Sequence, residues 1–287
     1  MGVHNKYVRK NTMSERLPID DVPKCIVFFD LETSGLPQRD EKNWWKIPHY
    51  RDLTKYNNCR IIQMSAMLCD AKDLTPLESQ SAFIKANDFD ISAESYQIHE
   101  ISKEQTLELG MEFVQCMQEI MYPLFSRASY VAAHNAAFDV NVLKSELVRN
   151  NFVDMLRHMN NNMKVICTMK ATKHLVSARN PKGRLKNPTL KELYRFAIGE
   201  EMEETEHHDA VYDVINMHQS VKILVERDGL ELYTDKNKKP TSNTTLKDEV
   251  HSLKTEIATL KADAQEFKTA VLSQLSEIMT KLDRLIM

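Results

Sequence analysis

Asp30 and Glu32 directly follow the apolar run Cys25 to Phe29. The period of two along a strand puts both carboxylates on one face, where they repel each other. A hard divalent cation that takes oxygen from both removes the conflict. Taken alone, D-x-E is also what a strand end running into a turn with incidental acids looks like. With Asp+Glu 41 in the chain, most carboxylates are solvated surface, and one is informative only where its setting is wrong for a surface charge. In His134-Asn135-Ala136-Ala137-Phe138-Asp139, a short apolar segment leads into a helix with an acid in its first turn. There the acid could simply complement the helix dipole. In His208-Asp209-Ala210-Val211-Tyr212-Asp213, Asp209 reads as an N-cap. That leaves His208 in the loop just before the helix and Asp213 one turn inside, beside an apolar stripe. A lone histidine is more often surface or core, but one next to a carboxylate cluster can take a proton near neutral pH.

These three segments, in this order, resemble the DEDDh 3′–5′ exonucleases, the family of polymerase proofreading subunits, RNase T-like enzymes and oligoribonucleases. The resemblance runs from about Cys25 to Glu226. Phe29 to Leu36 (FDLETSGL) is similar to the first motif, His134 to Asp139 (HNAAFD) to the second, and His208 to Asp213 (HDAVYD) to the third. Ile98-His99-Glu100-Ile101-Ser102 resembles the family's Ile-His-Gly-Ile segment, with Glu100 where glycine is usual. That substitution alters a turn and removes no carboxylate. The tyrosine version of the family needs Tyr four residues before the last Asp; that place is Asp209, so the histidine version is implied.

The resemblance implies an α/β, RNase H-like fold with a mixed five-stranded sheet flanked by helices. It implies that Asp30, Glu32, Asp139 and Asp213 gather at one end of the sheet and hold two Mg²⁺ or Mn²⁺ ions. Such a pair activates a water on one side of a phosphodiester and stabilises the leaving 3′-oxygen on the other. His208 would take the proton. Nucleoside 5′-monophosphates would leave from the 3′ end of DNA or RNA, single-stranded by expectation. Thr33 and Leu36 would hold the terminal nucleotide, and His99, Asn135 and Phe138 would line its sugar, phosphate and base. For Leu36 and Phe138 ordinary packing is an equal alternative.

The elements that must position these residues follow from periodicity. Cys25 to Phe29 reads as a buried strand. Arg60 to Cys69 reads as a strand with Ile62, Met64, Ala66 and Leu68 on one face, and Ser79 to Ala86 as a third. A helical stretch around Met111 to Met121 precedes the short runs Tyr130 to Ala133 and Lys164 to Cys167. Helices are read over Ala136 to Leu147, Thr189 to Phe196 and Asp209 to Val225. The insertion Gln38 to Asn58 carries Trp44, Trp45, His49, Tyr50 and Tyr56 amid basic residues; it suits stacking on a single strand or covering the edge of the sheet. Lys182, Arg184 and Lys186 could grip phosphates or form a solvated loop.

Four segments are expected: a flexible arm (1–22), the exonuclease domain (23–231), a linker (232–245) and a parallel coiled coil (246–287). In the last, Val250, Ile257, Ala264 and Val271 take a, and Leu246, Leu253, Leu260 and Phe267 take d, with acids at g and lysines at e. That pattern favours a two-stranded homodimer. A single amphipathic helix folded on the body is the alternative.

Composition narrows the classes. Lys+Arg 38 nearly balance Asp+Glu 41, so nucleic-acid contact would be local. Six scattered glycines exclude a dinucleotide fingerprint or phosphate loop. Five cysteines with no C-x-x-C argue against a disulfide framework or a structural zinc site and point to a reducing intracellular compartment. No apolar run approaches a membrane span, and the protein is expected to be soluble, with no membrane partner. The competing function is a catalytically idle nucleic-acid-binding or scaffold protein that oligomerises through its coiled coil. An adaptor role of that coil in a replication or repair complex is compatible with either.

Overall fold

Cys25 to Phe29 is apolar at every position, as a strand covered on both faces must be, and it forms the middle of the sheet. The computed structural model describes residues 24–43, 45–202 and 209–233. The chain divides into two units, and the first, Met1–Leu232, holds every element below. The strands are β1 (Cys25–Thr33), β2 (Ile61–Asp70), β3 (Pro76–Phe83), β4 (Ala128–Ala133) and β5 (Lys164–Cys167). Their order is β3-β2-β1-β4-β5. β1 pairs antiparallel with β2 and parallel with β4; β2 pairs antiparallel with β3, and β4 parallel with β5. This is the expected mixed five-stranded sheet.

The helices are α1 (Ala93–His99), α2 (Lys103–Leu109), α3 (Phe113–Cys116), α4 (Tyr122–Phe125), α5 (Ala137–Arg149), α6 (Val153–Asn161), α7 (Thr168–Ala171), α8 (Lys173–Val176), α9 (Leu190–Ile198) and α10 (Ala210–Asp228). Serine caps start α1 and α2: Ser92 and Ser102 accept the amides of Ser95 and Gln105. A capping box of Thr189 and Glu192 opens α9. A wide turn, Met117–Met121, joins α3 to α4, next to Pro123, which has no N–H to return to the preceding turn.

Alternation along β1 divides the domain into layers. Val27, Phe29 and Leu31 face a core shared with Met117, Met121, Phe125, Val140, Leu143 and Leu147, where Phe29 meets Phe125 edge to face at 5.6 Å. The other face carries Phe28, Asp30 and Glu32 toward α10, and Phe28 meets His218 edge to face at 5.4 Å. Three layers result, helix on sheet on helix.

The differences from expectation are local. Ile62, Met64, Ala66 and Leu68 are buried as expected, but Gln63, Ser65 and Met67 on the opposite face are buried too, because α10 covers them. β3 begins at Pro76 and ends at Phe83, since the pairing Cys69↔Pro76 and Gln63↔Phe83 fixes its span. Proline is tolerated there as the first residue of an edge strand. The helical stretch read over 111–121 starts later, at Phe113, because Met111 bridges Ile84, and it continues to Phe125. Within the insertion, Tyr56 is fully buried and Ile47 packs on the core, whereas Trp45 is 59% exposed. Packing and exposure thus divide its aromatics between them. The arm 1–22, Trp44, His208 and the coiled coil 246–287 lie outside the described residues, as does the linker apart from Leu232 and Tyr233.

Candidate active site

Parallel β1 and β4 end at the same edge of the sheet, the edge where α/β proteins place their ligands. Asp30 and Glu32 stand near the end of β1 and, by alternation, on the face toward α10. Their partners on β2 are Ser65 and Gln63. α10 brings Asp213 onto them: Asp30, Glu32 and Asp213 each offer a carboxylate oxygen, all within 4.8 Å of one another. Asp139, nearly fully buried in the first turn of α5, comes from the chain that leaves β4. It falls outside that tight triad, yet its charge is felt by both Asp30 and Glu32.

The electrostatics show what the arrangement lacks by itself. Burial, then Asp139, Asp213, Glu32 and Asp209, holds the Asp30 carboxyl well above the usual range. Burial, then Asp213, Asp139 and Asp209, pushes Glu32 up to about 9. Burial, with Asp213 adding and a backbone hydrogen bond opposing, pushes Asp139 up to about 8. With Asp30, Glu32 and Asp139 all shifted upward, these three do not all ionise at neutral pH unless a positive charge joins them. The donor set is all oxygen, drawn from four positions in β1, α5 and α10, which is what Mg²⁺ or Mn²⁺ takes.

The end of β1 is held by a tight local network. Thr33 is buried and its hydroxyl donates to Gly35 O at 2.9 Å. Ser34 N donates to Arg60 O and its own carbonyl accepts from Ser92 N, both at 2.8 Å. A Cβ on Gly35 would lie 2.3 Å from Asn58 O, so only glycine lets the two backbones meet there. Leu36 follows, 68% exposed. It is not packed in the core, and it lies three residues beyond the end of β1. Phe138, by contrast, is half-buried and packs against the core.

His99 is 6% exposed. Its Nδ1 accepts from Ile101 N at 3.0 Å, which leaves Nε2 as the protonated nitrogen, donating to Thr33 O at 3.3 Å. It fastens α1 to β1 and offers a substrate little surface. Glu100 occupies the left-handed region at φ 56 as the C-cap of α1, which gives the physical reason for a glycine at that place. Asn135 is exposed and also left-handed, at φ 73.

Three features of the site were not read from the sequence. Neutral His134, its proton affinity lowered by burial, bridges Thr168 Oγ1 and Pro188 O, both at 3.0 Å, and ties the end of β4 to α7 and to the loop before α9. A buried ion pair joins Arg60 to Glu146 of α5, with the guanidinium 4.6 Å over the Phe89 ring. Gln63 donates to Asp209 Oδ1 at 3.0 Å and accepts from Ala210 N at 3.1 Å. Asp209 caps α10 as expected, accepting from Val211 N at 2.8 Å. The apolar pattern gave no sign of these, since each polar partner lies far away in sequence.

The family model RNase_T, described as Exonuclease, matches residues 27–220. No curated protein matches the chain. Among solved structures, E. coli Exonuclease I in complex with a dT13 oligonucleotide is 18% identical at a TM-score of 0.55, the match covering 72% of this chain and 42% of that one. A moderately thermophilic Exonuclease I from Methylocaldum szegediense is 21% identical at 0.55, covering 72% and 41%. The zinc-bound form of the E. coli enzyme with single-stranded DNA is 18% identical at 0.54, again covering 72% and 41%. The match thus spans well under two thirds of those chains, and at such identities the likeness is one of fold.

Proposed function

The chain belongs to the RNase_T family of exonucleases, and from that premise we propose that it is a two-cation 3′–5′ exonuclease releasing nucleoside 5′-monophosphates. The observation that carries this reading is the convergence of Asp30, Glu32 and Asp213 oxygens within 4.8 Å at the end of β1, with Asp139 beside them. Mg²⁺ or Mn²⁺ held there would supply Lewis acidity to the scissile phosphate and lower the pKa of water. In this reading Asp30 and Glu32 hold the cations from the sheet, Asp213 from α10 and Asp139 from α5. His208, which precedes α10 in the sequence, would accept a proton. Thr33, Leu36, Asn135 and Phe138 surround the terminal nucleotide, and His99 acts from behind through the Thr33 carbonyl.

The solved Exonuclease I complexes contain single-stranded DNA, which supports a single-stranded 3′ end as the substrate. No described helix is long and apolar enough to cross a membrane. The segment 246–287 would join two copies and could link them to a replication or repair complex. The test uses matched 5′-labelled single-stranded DNA, duplex DNA and RNA with Mg²⁺. A ladder shortening from the 3′ end, with mononucleotide release, is expected. Internal cuts, or no cleavage of any of the three, refute the reading.

A further inference from the structure

We propose that Gln63 is a positioning residue for the cation site: by gripping the first turn of α10 from the sheet, it holds Asp213 against Asp30 and Glu32. The inference rests on the two-cation reading above and adds a residue to it.

Gln63 is buried on β2 directly across from Glu32. Paired residues in an antiparallel ladder project to the same face, so its side chain rises beside Glu32 toward α10. Both ends of its amide are used, one toward Asp209 Oδ1 at 3.0 Å and the other toward Ala210 N at 3.1 Å. A helix start exposes amides that no residue of the helix can satisfy. Here one of them is taken by the sheet, and the capping carboxylate is held by the same side chain. Asp213 lies one turn further, its amide donating to Asp209 O at 2.9 Å.

Further along, α10 is tied down by His218 Nε2, 2.7 Å from Leu74 O, and by Lys222 Nζ, 2.9 Å from Asp73 O. Those ties fix the middle of the helix against the turn between β2 and β3. Gln63 fixes its start against the strand beside Glu32. A small tilt of that start displaces Asp213 from carboxylates within 4.8 Å of it, and a cation shared among them weakens accordingly. Groups that orient ligands from behind typically carry about 10- to 100-fold in metal affinity.

The experiment measures Mn²⁺ binding to the full chain, by calorimetry and by the electron paramagnetic resonance of free Mn²⁺, at one pH. It compares the parent with Gln63→Leu, which keeps the volume and loses both hydrogen bonds. Gln63→Asn, one methylene shorter, is the milder second variant should the first fold poorly. Leu224→Ala is the control: it destabilises α10 at its far end, where Leu224 packs against Leu193 and Ala197.

The expected result is an affinity about 10- to 100-fold weaker in Gln63→Leu, a smaller loss in the same direction in Gln63→Asn, and parental affinity in Leu224→Ala. In steady state kcat at limiting cation should fall while KM for an oligonucleotide holds. If the parent binds Mn²⁺ and Gln63→Leu binds it equally, or if Leu224→Ala loses as much, the clamp is overturned alone. A parent that binds no Mn²⁺ overturns the two-cation reading and the clamp together.

Discussion

Replacing Asp30 by Asn should make the cation-free protein more stable and the cation-bound protein less so. Two carboxylates with oxygens within 4.8 Å of each other repel by at least about 3.5 kcal/mol if both are ionised and the effective dielectric is about 20. That corresponds to about 2.5 pKa units, and it adds to burial, the larger cause, in pushing Glu32 up to about 9. At neutral pH the acids already share protons, so relief is smaller, about 1–3 kcal/mol, or a melting point higher by about 5 °C in a domain of this size. The sign with pH follows from linkage. Glu32 rises from its usual 4.5 to about 9 and Asp139 from 3.8 to about 8, so across those windows the folded protein holds protons the unfolded chain has lost. Parent stability in EDTA should therefore fall as pH rises from about 4.5 to 9, and the fall should be shallower in the Asn variant. With Mn²⁺ at about a hundredfold excess over its dissociation constant the parent should regain about 2.7 kcal/mol, and the variant much less. Thermal melts in EDTA and in Mn²⁺ across pH 5 to 9 test this. The reasoning fails if the variant melts below the parent in EDTA, or if Mn²⁺ raises both equally.

His208→Ala should retain Mn²⁺ binding and slow hydrolysis by about 10²–10⁴-fold; parental turnover with both Mg²⁺ and Mn²⁺ across pH would place the base elsewhere. Glu100→Gly should stabilise the domain by about 1 kcal/mol, since a left-handed C-cap at φ 56 strains any residue with a Cβ, and denaturant unfolding reads the change in midpoint. Deleting 246–287 should leave the nuclease active on short substrates and reduce its mass in light scattering to that of a monomer; an unchanged mass would put the interface in the body.

What was legible in the sequence was whatever repeats with a short period or sits within one motif. Cys25 to Phe29 announced a strand buried on both faces, and the acids after it announced an acidic cluster; alternation and helical spacing marked the remaining strands and the helices that carry Asp139 and Asp213. Element ends shifted where a distant pairing decides them, as at β3, whose span is set by β2. Leu36 and Phe138 were indistinguishable as apolar residues near a motif, and only the surroundings put one at the surface and the other against the core. Gln63 was illegible for another reason. It falls on the alternate face of the pattern as any outward polar residue would, and its partner Asp209 lies 146 positions away. Burial of the second face of β2 depends on α10, which no local pattern in β2 can report. Glu100 shows the reverse case, where a departure from a motif carried a conformational meaning that its backbone then displayed.

The placement of the carboxylates along the chain has a consequence for synthesis. Asp30 and Glu32 lie on the first strand, and Asp213 lies on the last helix of the described domain. During translation the sheet strands through β5 can emerge and pair while the triad still lacks a member, because α10 is made after them all. A ribosome-bound chain cut between Ile198 and Asp213 would carry all five strands but only two of the three clustered carboxylates. The acidic triad is thus completed only when α10 has been made, after every strand of the sheet.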